Sequence, residues 1–338
     1  MKKKKGRQKV SADNWERQHD RQLSSTPQYE YEARDADSPI GDPNVVPNAL
    51  LLAYSGQWAW VQHEGEERLC RVDERSIERH SAALAAGDAV RVEWEGTDPM
   101  VRGVAPRRTK LSRRMPNGRE QIVAANIDAL LIVTAPLQPR FKAGVVDRYL
   151  IAAEVGGIEP IICLNKVDLT DKEPEAIHAY RELGMSVVRT SCATGEGLDE
   201  LRELLRGKLT VLAGQSGVGK SSLINALDPE MDIVVQTVSR FNDKGRHTTR
   251  RARLHELQGG TRIIDTPGVR QMAVHGLEAQ EVDLYFPEIA ELATSCRFRD
   301  CRHQSEPGCA ILAAVESGDL PAIRYKSYLR IHDSLSES

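Results

Sequence analysis

An α/β domain with a mainly parallel sheet, preceded by a small all-β barrel and followed by a short helical segment, is the architecture the sequence predicts. Three observations predict it. Short alternating runs between Gly-containing or charged turns occupy residues 49–105. Fully apolar runs alternate with helical stretches over residues 127–264. Three cysteines and a histidine then cluster between Cys296 and Cys309. A chain of 338 residues accommodates two or three domains, and the composition shifts place limits at 1–48, 49–118, 119–277 and 278–338.

The first 48 residues open with six basic side chains between Lys2 and Lys9 and continue as a polar, proline-bearing stretch with too few aliphatic groups to bury. This segment reads either as a solvated tail or as a basic arm for RNA phosphates. Leu50 to Tyr54, Trp58 to Gln62, Arg68 to Asp73, Ala89 to Trp94 and Met100 to Ala105 then form five strands of an OB-fold-like barrel. Tyr54, Trp58, Trp60 and Trp94 are either core or stacking residues. From the barrel's far rim onward, Arg102, Arg107, Arg108, Lys110, Arg113, Arg114 and Arg119 precede the first acid, Glu120, and their run favours phosphate binding over a merely solvated surface.

Apolar strands follow at Ile127 to Thr134, Pro160 to Leu164, Ser186 to Thr190, Leu209 to Ala213 and Arg262 to Ile264. Helices are expected at Gly144 to Val155, Glu175 to Leu183, Leu198 to Leu205 and Lys220 to Leu227. From about Glu278 the pattern is helix, cysteine-rich loop, helix.

Charge and hydropathy exclude several classes. A net charge of −3 excludes a uniformly basic nucleic-acid coat, so any polyanion site is local. No apolar run approaches the roughly 18 residues needed to cross a bilayer, and Met1 to Val10 lacks a signal-peptide core, so a cytoplasmic, membrane-free chain is expected. The grouped thiols indicate a metal site in a reducing compartment rather than disulfides.

Gly214-Gln215-Ser216-Gly217-Val218-Gly219-Lys220-Ser221 fits a phosphate loop between an apolar strand and a helix, with Ser222 next in the helix. Its glycines let backbone N–H groups curl around phosphate oxygens, Lys220 reaches the β- and γ-phosphates, and the Ser221 hydroxyl binds Mg²⁺. Asn165-Lys166-Val167-Asp168 follows another strand, where the Asp168 carboxylate suits the paired donors of guanine and rejects adenine. Ser191-Cys192-Ala193 offers backbone contacts to the guanine oxygen. Asp265-Thr266-Pro267-Gly268 places Asp265 to hold Mg²⁺ through water and the Gly268 N–H to sense the γ-phosphate. The polar loop from Lys244 to Arg250 supplies Thr249 to the Mg²⁺ shell.

Cys296, Cys301, His303 and Cys309 supply the four ligands of a closed tetrahedral Zn²⁺ site, against the plainer alternative of reduced surface cysteines. Arg297, Arg299 and Arg302 beside them suggest a second RNA contact.

These motifs resemble those of translation-factor-like GTPases in a permuted order: Asn165 to Asp168 and Ser191 to Ala193 precede the phosphate loop, which precedes Thr249 and Asp265. Together with the barrel and the cysteine cluster, the order resembles the ribosome small subunit-dependent GTPase A family over about residues 49–330. The resemblance implies a circularly permuted P-loop GTPase domain with an OB-fold before it and a zinc-binding helical domain after it. It implies GTP and Mg²⁺ as ligands, one structural Zn²⁺, and a monomer stimulated by the small ribosomal subunit and bound to its rRNA. Val269 stands where many GTPases carry a water-orienting glutamine. The resemblance therefore points to His247 as the catalytic side chain beside Lys220 and Thr249, its alternative role being a phosphate or rRNA contact. A non-enzymatic, GTP-gated RNA-binding module is the competing class; an RNA-dependent ATPase conflicts with Asp168.

Overall fold

The computed structural model describes residues 41–73, 84–115, 119–230, 252–265 and 276–336. The basic tail, His247, Thr249, Gly268 and Val269 lie outside the described residues.

The barrel strands are β1 (Ala49–Ser55), β2 (Trp58–His63), β3 (Glu66–Val72), β4 (Ala89–Glu95) and β5 (Asp98–Val104). They run in the order β1-β2-β3-β5-β4, and β4 pairs back onto β1, which closes the barrel and removes its open edges. Side-chain alternation sends Ala59 and Val61 inward to Leu51, Cys70, Val90, Val92 and Val101, a core separate from the rest of the molecule. Tyr54 packs on that core and Trp60 on the neighbouring one, whereas Trp58 and Trp94 remain exposed. Two of the four aromatics are thus packing residues, and two keep much of their ring surface in solvent.

The cationic stretch after the barrel differs from its expected character. It folds into an antiparallel hairpin, β6 (Lys110–Arg114) and β7 (Glu120–Ala125), and its charges find partners from distant sequence. Arg102 meets Asp73 at 2.5 Å, Arg107 meets Asp88 at 2.6 Å, Arg108 meets Asp128 at 2.5 Å and Lys110 meets Glu120 at 2.9 Å. Four of the seven cations thus meet an acid in space. Arg107 is structural: its side chain is 2% exposed against a fully buried Asp88 carboxylate, which also accepts the Ala85 N–H.

The second region holds β8 (Ala129–Thr134), β9 (Glu159–Asn165), β10 (Ser186–Thr190), β11 (Leu209–Ala213), β12 (Arg253–Glu256) and β13 (Arg262–Asp265) in the spatial order β10-β9-β8-β11-β13-β12. All pairings are parallel except β12 with β13. Because β12 also pairs with β1 at Arg253 and Ala53, barrel and parallel strands form one continuous sheet.

Helices cover both faces, as apolar strands buried on both sides require. Ala129, Leu131 and Val133 face α3 (Leu198–Leu205) and α4 (Lys220–Leu227), while Leu130 and Ile132 face α1 (Ala143–Val155) and α2 (Glu175–Glu182). A one-residue slip would exchange the two sets.

The C-terminal part, a 3₁₀ segment (Ala279–Tyr285), α5 (Pro287–Ala293), α6 (Ala310–Ser317) and α7 (Ala322–Ser336), adds Phe286, Ile289, Ile311, Tyr328 and Ile331 to the α1 side of that core. Its anchor is Arg324, 2% exposed, which pairs with Asp147 of α1 and, at 2.6 Å, with Glu288 of α5. The Arg324 guanidinium also stacks over Phe286 and Tyr180, and the Tyr180 hydroxyl donates to Asp147 at 2.8 Å. Among the described residues, no helix is long and apolar enough to cross a membrane.

The buried and exposed cations should respond differently to removal. Arg107→Met strands the Asp88 carboxylate in the interior and should lower unfolding stability by roughly 3–5 kcal/mol. Arg108→Met removes a solvent-exposed pair and should stay within about 1 kcal/mol. Urea titrations followed by circular dichroism decide; equal midpoints for the two variants would show that Arg107 is as dispensable as its neighbour.

Candidate functional site: a nucleotide pocket and a cysteine knuckle

Five strands end at one edge of the sheet, delivering Thr134, Asn165, Thr190, Ala213 and Asp265 to the side where open α/β sheets bind ligands. The phosphate-loop residues Gly214, Gln215, Ser216, Gly217, Val218 and Gly219 connect β11 to α4, whose first turn holds Lys220, Ser221 and Ser222. The partial positive charge of the α4 N-terminus and its unbonded N–H groups favour an anion there. Lys220 Nζ donates to the carbonyls of Gly214 and Gln215, both at 2.8 Å, so the ammonium sits within the curl of the loop.

Two glycines make that curl possible. Gly214 (φ +137°) approaches β8 so closely that a Cβ would lie 2.1 Å from the Val133 carbonyl oxygen. At Gly219 (φ +98°) a Cβ would lie 2.5 Å from Asn165 Nδ2. Both also hold backbone angles that an L-residue adopts only at a cost.

Asn165 is 1% exposed and hydrogen-bonded through both ends of its carboxamide. Its Nδ2 donates to the Val218 carbonyl at 2.9 Å, and its Oδ1 accepts from Thr190 Oγ1 at 3.1 Å and from Cys192 Sγ at 3.8 Å. Lys166, at φ +62°, spans the rim, its Nζ reaching the Gly217 carbonyl at 2.6 Å and the Gln138 carbonyl at 2.7 Å. Asp168 is exposed and accepts the Ser191 hydroxyl at 2.5 Å; the N–H groups of Ala193 and Thr194 in turn donate to Ser191 Oγ. Burial pushes the Cys192 thiol up, so it stays protonated beside Asn165. The structure thus brings Asn165 and Lys166 against the phosphate loop, joins Cys192 to Asn165, and links Asp168, Ser191 and Ala193 to one another beside them.

Asp265 ends β13 on the same edge. Burial raises its carboxyl above the ordinary range, while the nearby charges of His255 and Lys220 pull it down. A divalent cation would satisfy that half-buried carboxylate.

Sequence reading missed three supports. Thr190 bonds Asn165, Gln138 supplies the second carbonyl for Lys166, and buried Tyr149 of α1 hydrogen-bonds with the Gly214 backbone, its hydroxyl pushed up to about 12 by burial. Only Thr190, adjoining Ser191, had a local signal.

The second cluster lies between α5 and α6. The ligand atoms of Cys296, Cys301, His303 and Cys309 all fall within 4.8 Å of one another. His303 Nδ1 lies 3.6 Å from Cys296 Sγ and 3.5 Å from Cys309 Sγ, and the two sulfurs are 3.9 Å apart. Zn²⁺ bond lengths on a regular tetrahedron give edges of about 3.8 Å between sulfurs and about 3.6 Å between sulfur and nitrogen. The donor set therefore fits that ion in both chemistry and spacing.

Burial and the neighbouring thiols push the Cys301 thiol up to about 12, a cost that a bound dication offsets. Glu306 shapes the turn by accepting the N–H groups of Arg302, Gln304 and Ser305, which hold its carboxyl down at about 2. Tyr325 of α7 donates to the His303 carbonyl at 2.6 Å and fixes the knuckle to the helices.

Two substitutions probe these sites. Gly219→Ala should drive Asn165 off Val218 and weaken both GTP and GDP binding by roughly tenfold or more, read by fluorescent-nucleotide titration beside a melting curve. Unchanged affinity at unchanged stability would refute the close approach. Cys301→Ser should abolish a one-to-one zinc content in metal analysis and open the 296–309 turn to proteases while leaving α7 docked through Arg324; retention of stoichiometric zinc would rule the ligand set out.

A family model described as RsgA GTPase matches residues 104–275. The small ribosomal subunit biogenesis GTPase RsgA of Gemmatimonas aurantiaca is 42% identical over 300 residues, which is 85% of this chain and 96% of its own. The protein of that name from Pseudomonas fluorescens Pf-5 is 39% identical over 305 residues, 88% of each chain. Among solved structures, YjeQ from Thermotoga maritima superposes with a TM-score of 0.67 at 29% identity, over 86% of this chain and 99% of that one. YloQ, described as a circularly permuted GTPase, gives 0.63 at 28% identity over 87% and 96%. With the guanine-type loop ahead of the phosphate loop, the barrel before both and the cysteine knuckle after them, this chain belongs to the RsgA GTPase family of GTP-hydrolysing enzymes.

Proposed function

We propose that the chain is a late-acting maturation factor of the small ribosomal subunit, gripping rRNA through its barrel and zinc knuckle and hydrolysing GTP when the subunit engages it. The observation that carries this reading is the junction of Asn165 with Val218, which joins a guanine-type loop to a phosphate loop in one pocket. The subunit enters through the relatives, whose names place them in small-subunit biogenesis.

In this reading Asp168 accepts the two guanine donors, with Ser191 holding its carboxylate in place and Cys192 and Ala193 presenting backbone to the guanine oxygen. The N–H groups from Gly214 to Gly219 and the first turn of α4, including Ser222, bind the phosphates. Lys220 neutralises charge on the transferring phosphate. Bound Mg²⁺ supplies Lewis-acid stabilisation of the phosphate oxygens, with Ser221 and Thr249 as ligands and Asp265 holding a water of its shell. Gly268 senses the γ-phosphate, and His247 stands in for the glutamine that Val269 replaces. Zn²⁺ on Cys296, Cys301, His303 and Cys309 has four protein ligands, so its role is structural. The protein works as a cytoplasmic monomer, its working parts bounded at 49–118, 119–277 and 278–338.

GTP turnover measured with isolated small subunits, with large subunits and with neither tests the proposal: stimulation by small subunits alone is expected. Equal turnover in all three would instead favour a GTP-gated RNA-binding module in which hydrolysis is incidental. Asp168→Asn, which exchanges an acceptor for a donor, should weaken GTP binding and improve relative acceptance of xanthosine triphosphate. Unchanged GTP affinity in that variant would remove the guanine assignment.

A further inference from the structure

The cysteine knuckle carries on its outer surface a group of side chains that the zinc site does not use. Between Cys296 and Cys301 the chain reads Arg297-Phe298-Arg299-Asp300, all four exposed, and Arg302, also exposed, follows Cys301. Phe298 is 42% exposed and joins none of the three apolar cores. Leaving part of a phenyl ring in water forfeits some of the stabilisation that its full burial would contribute.

The ring is nonetheless held. The Arg297 N–H donates to the Gly308 carbonyl at 3.1 Å. A Cβ at Gly308 would meet Arg297 side-chain carbons at 3.1 and 3.3 Å, so the missing side chain is what lets the arginine stem lie along the turn. From that anchor the guanidinium carbon sits 5.4 Å from the Phe298 ring centroid, in cation–π range. Phe298 therefore presents part of an aromatic ring to solvent with a cation held beside it.

Charge pairing sets this surface apart from the cationic run after the barrel. There Arg102, Arg107, Arg108 and Lys110 are taken up by Asp73, Asp88, Asp128 and Glu120. On the knuckle, none of Arg297, Arg299 and Arg302 forms an ion pair among the described residues. Of the local acids, Glu306 is engaged by three backbone N–H groups, and Asp300 alone stands among the cations.

We infer that Arg297 and Phe298 form a stacking wedge for an unstacked RNA base, with Arg299 and Arg302 on the flanking phosphates. An extruded base supplies a π-face for the ring and a phosphate on either side; A-form duplex offers the phosphates but keeps its bases stacked, which directs the wedge to a loop, bulge or junction. The inference rests on the rRNA-gripping role proposed above and names where one contact is made.

The test uses the full-length, zinc-loaded chain with a non-hydrolysable GTP analogue and isolated small ribosomal subunits over a salt series. Phe298→Ala should weaken binding roughly 5- to 150-fold with an unchanged salt slope, because stacking is lost and no charge is removed. Phe298→Tyr should bind nearly as the parent does, and Phe298→Leu should bind as weakly as the alanine variant. Arg299→Gln with Arg302→Gln should flatten the slope by roughly 0.7–0.9 per lost phosphate contact. Zinc content, expected at one per chain in every variant, certifies an intact knuckle. If Phe298→Leu keeps full affinity while alanine loses it, the contact is an apolar one to a ribosomal protein and the stacking assignment falls. If the parent binds and Phe298→Ala binds equally, the wedge does not exist. If the parent itself fails to bind small subunits while zinc is in place, the proposed rRNA-gripping role fails and the wedge falls with it.

Discussion

The buried carboxamide of Asn165 is the constraint on which the nucleotide pocket depends. It sits at the end of β9 yet bonds the Val218 carbonyl of a loop that follows β11, reaching past β8, the strand between them. Gly219 must lack a side chain for that reach to occur, and Thr190 must present its hydroxyl for the remaining lone pairs. A buried amide that lost one of these partners would pay the desolvation cost of an unsatisfied group, roughly 1–3 kcal/mol. The loops that recognise base and phosphate therefore cannot shift independently, whatever order the chain visits them in. Circular permutation is tolerated for that reason: the carboxyl-edge constellation depends on which strands are neighbours, and cutting the chain elsewhere leaves the neighbours unchanged.

Permutation does change what each strand end is attached to. Asp265, at the end of β13, is followed in sequence by the helical C-terminal part, and β12, the partner of β13, pairs with β1 of the barrel. The barrel thus joins the sheet on the β13 side of the phosphate loop, whereas the C-terminal helices pack against α1. On the opposite face Arg324 clamps α7 to α1, and Tyr149 of that same α1 touches Gly214. A displacement at the phosphate-loop edge has short, packed routes to the barrel and to the knuckle.

Much of this was legible in the sequence, and the exceptions share a cause. The strand–loop–helix unit from Leu209 to Leu227 is local: an apolar run, glycines at set spacing and a helical stretch, with boundaries the structure reproduces. Fully apolar strands such as β8 announce burial on both faces. What failed to show was pairing across long separations. β12 reads Arg-Leu-His-Glu, too short and too charged to signal a strand, and it exists because β13 and β1 flank it. The hairpin of β6 and β7 was hidden within a cationic run, where Lys110 meets Glu120 and Arg113 meets Gln121 across the two strands. Gln138 and Tyr149 serve the pocket through backbone and hydroxyl contacts that no spacing rule encodes.

The same distinction between local sequence and spatial neighbourhood decides what the metal does. Counted by sequence alone, the C-terminal residues have too little apolar content for a core of their own, which suggests that zinc staples the whole segment. In space Phe286, Ile289, Ile311, Tyr328 and Ile331 belong to the core built on α1, and Arg324 adds a buried ionic anchor. The helices are thus held without the metal. The turn from Cys296 to Cys309 is the part with little else: of its side chains only His303 and Cys309 are buried, and Glu306 organises one corner of it. Zinc binding energy is accordingly concentrated on a short loop, where it fixes the direction in which Arg297, Phe298, Arg299 and Arg302 are displayed.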